Sequence, residues 1–155
     1  MTSDQLQQLS NPNYLADFKL IHRLLAEMVN RILARLWTDL AAGLDGAGFG
    51  EAAAVELRAL ARVFLGLDPR YIPIPWFSPG GGVDDHLACV EGIHATDPEE
   101  RVVMALDNML RKIQDVVAAN ENVEAAEWMP QVSAIVSEYA CKVLGIPAGT
   151  CAVKG

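Results

Sequence analysis

The stretch TDPEERVVMALDNMLRKIQDVV, running from Thr96 to Val117, decides the fold class. Asp97 stands where an N-cap side chain accepts backbone N–H groups, and Pro98 at the first helical position, where a missing N–H costs nothing. Glu99 and Glu100 follow at the positive end of the helix dipole. Val102, Leu106, Met109, Leu110, Ile113, Val116 and Val117 then recur every three or four residues, with Asp107, Arg111, Lys112 and Asp115 on the other side. An apolar stripe of this period has to be buried against other helices.

Working outward, the same period recurs on both sides. Towards the C-terminus a helix is expected between Val123 and Leu144, restarting or kinking at Pro130. Val132, Ile135, Val136, Tyr139 and Val143 share one face, and Glu138 and Lys142 form an i,i+4 pair outside it. Gly145 and Pro147 end the pattern. Towards the N-terminus a short helix over Asp85–Ala95, weakened by Gly92, is preceded by LDPRYIPIPWFSPGGG, in which four prolines forbid a regular helix. A second helix is expected over Glu51–Leu65, with Val55, Leu57, Leu60, Val63 and Phe64 spread across a wide apolar arc. The first runs from Asn11-Pro12 to Leu44, with Phe18, Ile21, Leu25, Met28, Ile32 and Leu36 in line, and is either central or broken near Trp37. The expectation is an all-α bundle of four main amphipathic helices plus one short helix, with a proline-, aromatic- and glycine-rich loop at 67–82. It is read as one helical domain over 1–155, with flexible tails at 1–10 and 146–155.

Composition narrows the function. The chain has 155 residues, 52% of them apolar and 21% charged, which argues against disorder. The net charge of −8 opposes nonspecific nucleic-acid binding, since that affinity comes from Lys and Arg on phosphates, and leaves solubility or attraction to a basic partner. No apolar run reaches the length of a membrane span, and the first residues lack the basic-then-apolar order of a secretory signal. Cys89, Cys141 and Cys151 are an odd count without a CxxC, so free thiols in a reducing, cytoplasmic setting are expected. The apolar surplus leaves room for a homo-oligomer.

Titratable side chains crowd between Asp84 and His94. On a helix, His86 and His94 share the side of Leu87 and Ile93 but stand about 12 Å apart, too far for both to hold one metal. Glu91 and His94 have the Glu-x-x-His spacing of di-iron bundles, but the second such pair and its carboxylates are lacking, so neither metal nor cofactor is expected. His86 or His94 is left as an acid–base candidate, assisted by Asp85 or Glu91. The simpler reading of the group makes Asp84 and Asp85 helix N-terminal residues and each histidine a half-buried side chain bonded to a backbone carbonyl. Ser78–Gly82 ahead of a helix has the look of a phosphate loop, yet no Lys follows and two aspartates stand where the anion would sit.

Tyr71, Trp76 and Phe77 are concentrated on the proline-stiffened loop, either as a binding lip or as a cover over one end of the core. Arg35 and Asp39 end a four-residue ladder on the apolar side of the first helix, as a buried pair, an interface pair or part of a polar pocket. Three functions follow from these features. The leading one is a binding or interaction module contacting a protein or small-molecule partner through Tyr71, Trp76, Phe77, Arg35 and Asp39. The others are a small enzyme or ligand-binding bundle with a pocket at Trp76, Phe77, His86 and His94, and a structural subunit of a larger assembly.

Overall fold

Asp97 accepts a hydrogen bond from the Glu99 N–H at 3.0 Å, and the helix it caps begins at Pro98, as its sequence requires. The computed structural model describes residues 12–43, 49–65, 67, 87, 91–93 and 97–143, with the backbone alone at 12–17. Four long helices follow in chain order: α1 Pro12–Ala41, α2 Gly50–Phe64, α3 Pro98–Ala119 and α4 Ala125–Val143. No strand occurs among the described residues, and the protein is all-α. No helix among them is long and apolar enough to cross a membrane.

The packing is a ring. α1 lies against α2 and α4, and α3 against the same two helices. Ion pairs give the direction of each neighbour. Arg58 and Arg62, late in α2, reach Glu100 and Glu99 in the first turn of α3 at 2.7 and 3.9 Å, so α2 and α3 are antiparallel. Lys112 in α3 meets Glu138 in α4 at 3.5 Å, and Trp37 near the end of α1 meets Trp128 near the start of α4. The four helices therefore run up, down, up and down, an arrangement in which each apolar stripe faces two neighbours.

That geometry explains why the stripes are wider than the simplest sequence reading. In α1, Leu24, Val29 and Leu33 are buried beside Ile21, Leu25, Met28, Ile32 and Leu36, because two partner helices require a broad face. In α2, Ala53, Leu57, Leu60, Ala61, Val63 and Phe64 are buried. Val55, expected in the apolar arc, is 69% exposed, since it points away from both neighbours. The face predicted for α3 is buried from Val102 to Ile113, with Val116 and Val117 half covered. Phe64, Met28, Leu106, Met109, Ile113 and Tyr139 are among the fully buried side chains that fill the centre.

Helix ends differ in detail from expectation. α1 runs unbroken past Trp37 and stops at Ala41, because Gly43 takes the left-handed conformation at φ 79° and its N–H turns back to the Leu40 carbonyl. α4 neither restarts nor breaks at Pro130, which is exposed in its second turn. There the helix does without one bond, to the Ala126 carbonyl. Of the short helix predicted before α3, Leu87 and Glu91 are helical and Gly92 turns the chain out at φ 70°. Leu87 and Ile93 are buried against the bundle.

Candidate functional site

The described residues hold two concentrations of functional chemistry. The first is a polar knot over α3 and α4. Lys142, on the last turn of α4, donates to Glu91 at 2.8 Å, with side chains only 17% and 10% exposed. Asn108 of α3 donates to the other Glu91 oxygen at 3.3 Å. Lys142 therefore points partly inward, where the sequence placed it outside the apolar face. Its expected partner Glu138 is nevertheless kept at 3.5 Å. The ammonium groups of Lys142 and Lys112 stand 4.4 and 5.1 Å from the centre of the Tyr139 ring, within cation–π range.

Burial alone would push the Glu91 carboxyl up. The bond from Lys142, the adjacent Tyr139 hydroxyl, the Lys142 charge and Asn108 outweigh it, and the carboxyl sits below its ordinary value. The Tyr139 hydroxyl is shut off from solvent and close enough to act on that charge, but it makes no hydrogen bond. Burial first, then the Glu91 carboxylate, keep this phenol protonated well above its usual range. Burial and the nearby Glu138 charge likewise push the Cys141 thiol up, so it is a poor thiolate at neutral pH. Glu91 is thus an ionised carboxylate committed to two donors, a tie between the segment before α3 and the helices beneath it.

Of the other residues singled out in the sequence, His86, His94, Asp85, Tyr71, Trp76 and Phe77 lie outside the described residues. Arg35 and Asp39 do pair, at 3.2 Å, but on the surface, with Arg35 68% exposed. The buried pair expected there is corrected. Four-residue steps drift toward the apolar side of the helix, but the neighbouring helices leave α1 uncovered at Arg35 and Asp39, so the pair stays at the surface. His22 is half-buried, with its ring 6.0 Å from Phe18. Among the described residues no three His, Cys, Asp or Glu side chains converge as a metal site.

The second concentration is a groove at the end of the bundle where α1 and α3 finish and α2 and α4 begin. It encloses about 700 Å³. Leu36, Trp37 and Leu40 of α1, Phe49 before α2, Val117 of α3 and Trp128 of α4 provide its apolar surface. Trp37 and Trp128 lie 6.0 Å apart, ring centre to ring centre, tilted by 43°. Six large apolar side chains are exposed among the described residues, and three of them, Trp37, Leu40 and Val123, line this one groove. Single exposed apolar residues are ordinary, whereas three converging on one groove make it the candidate contact site of this chain.

The floor is rigid. The Trp128 indole donates to the Val123 carbonyl at 3.2 Å, and the Asn120 side chain donates to the Val116 carbonyl at 2.7 Å, locking the turn between α3 and α4. The apolar period of the first helix ends at Leu36, so this site lies beyond the stripe that the sequence pattern marks. The available signal was Trp37 and Leu40, one turn apart just beyond that stripe, and Trp128 early in the last helix. Compared with known proteins, the chain matches no family model, no curated protein and no solved structure.

Proposed function

We propose that this chain is a protein-interaction module whose contact surface is the groove between Trp37, Leu40 and Trp128. The convergence of exposed apolar side chains on one rigid groove carries the reading. Tryptophan in a partly desolvated pocket is the residue type that most often dominates binding energy, because it supplies a large rigid surface at little entropic cost. The polar knot at Glu91 supports the same reading, since it serves to hold the scaffold and not to meet a ligand. A reducing, cytoplasmic setting fits the odd number of cysteines.

The test is selection of binding peptides from a displayed random library on the full chain, followed by Trp37→Ala and Leu40→Ala. The expected result is loss of binding by either variant while the helical circular dichroism is unchanged. Selected peptides that bind both variants as tightly as the parent would overturn the proposal. Alanine at Trp76 and Phe77, measured alongside, separates any contribution of the proline-rich stretch from that of the groove.

A further inference from the structure

Resting on that reading, we infer that the groove takes a basic amphipathic helix from a protein partner. The charge around it is one-sided. Among the described residues, Glu121 and Glu124 are the only charged side chains in its wall, and no ion pair reaches either. Elsewhere several carboxylates are matched: Glu56 by Arg31, Glu100 by Arg58, Asp107 by Arg111. Residues 113–127, which run through the groove, contain four acids and no Lys, Arg or His.

The backbone adds to this. α1 and α3 both end at the groove, and neither has a basic residue in its last turn, so the negative ends of two helix dipoles are left uncompensated. α2 and α4, which end at the opposite pole, carry Arg62 and Lys142 in theirs. At the groove the positive ends of α2 and α4 are in turn offset by Glu51 and Glu127. The potential over the apolar floor is therefore negative, and an occupant with Lys or Arg flanking its apolar face gains twice, by burial and by charge.

The same charges oppose the other occupants. A second copy docking groove to groove would bring Glu121 and Glu124 against their own equivalents without a counter-ion. Like charges placed opposite each other across an interface are costly. An extended strand would need a row of backbone partners, and the walls offer only two helix ends and the 120–124 turn, in which the Asn120 and Val123 N–H groups are already bonded. A helix satisfies its backbone by itself and presents side chains only, at i, i+3, i+4 and i+7.

The experiment uses two synthetic helical peptides of about 16 residues, about four turns. They share Leu and Trp at the i, i+3 and i+7 positions and differ only in Lys or Glu on the flanks. Binding to the full chain is measured by titration, with the indole N–H signals of Trp37 and Trp128 as reporters. These are assigned by Trp37→Phe and Trp128→Phe. The basic peptide is expected to bind at least about tenfold tighter than its acidic twin. It should weaken as salt rises from about 0.05 to about 0.5 M, where screening shortens to a few ångströms. Glu121→Lys with Glu124→Lys, on an exposed turn, should erase or reverse the preference. Equal binding of both peptides at the two indoles overturns the basic partner and leaves the interaction module standing. Failure of both peptides to move these signals overturns the module as well. Indole shifts that grow with protein concentration alone assign the groove to a second copy, which also overturns the inference.

Discussion

The Lys142 ammonium lies 2.8 Å from a Glu91 carboxylate oxygen, joining the last turn of α4 to the segment that leads into α3 across 51 residues of chain. Neither side chain is as much as one-fifth exposed, so the attraction is little screened by water. The pair also orders its neighbours, because Asn108 donates to the second Glu91 oxygen and Lys142 lies over the Tyr139 ring.

Breaking that pair from one side strands a charge. Lys142→Met is expected to cost about 2–3 kcal/mol in urea unfolding, at the low side of the range for buried pairs because Lys142 keeps some contact with water. The double change Glu91→Leu with Lys142→Met leaves no stranded charge and should fall within about 1 kcal/mol of the parent.

Glu91 also gives stability a defined pH dependence. Its folded carboxyl lies below the ordinary value of 4.5, so as pH falls through that region the unfolded chain takes up the proton first. Stability from Glu91 is present above the ordinary value and is lost as pH drops through the folded one. Urea midpoints measured from neutral pH downward should decline for the parent and decline less steeply for Glu91→Gln. Parallel curves for the two proteins would show that Glu91 does not contribute to the acid limb.

Asp97 caps α3 with a single well-placed acceptor for the Glu99 N–H. Asp97→Ala should destabilise by about 1 kcal/mol, and Asp97→Ser should recover most of it, since serine offers an equivalent oxygen. Thermal unfolding of the three proteins measures both effects.

Leu106 and Val55 were both expected on apolar faces, and burial separates them. Leu106 is fully buried between helices, so Leu106→Ala should cost about 2–5 kcal/mol through lost contacts and the cavity left behind. Val55, 69% exposed, should change by no more than about 0.5 kcal/mol as alanine. Chemical denaturation of the pair tests the orientation of α2 directly.

The helices themselves were legible because their signals are local. Asp97-Pro98, the three- and four-residue spacing of Val102 to Ile113, and the run from Ile21 to Leu36 identify helix and face without reference to any partner. Where burial departs from the periodic pattern, the competing factor is a neighbour. Val55 fits the arc on α2, but only the positions of α1 and α3 decide which part of the arc is covered. Arg35 and Asp39 pair as i,i+4 spacing requires, but whether they face core or solvent depends on where α4 and α2 lie against α1.

By itself, then, the sequence determined an all-α chain, the bounds of its helices to within a few residues, the Asp97 cap and most of the core. Periodicity fixes which side of a helix is apolar, and nothing more. The tertiary structure alone decided the up-and-down ring, the tie between Glu91 and Lys142, and the groove that joins Trp37 to Trp128. Each depends on which helix ends meet, and contacts between residues far apart in the chain leave no periodic mark on either partner. The acidity of that end was written in residues 113–127, but it became a property of a site only with α1 and α3 finishing there.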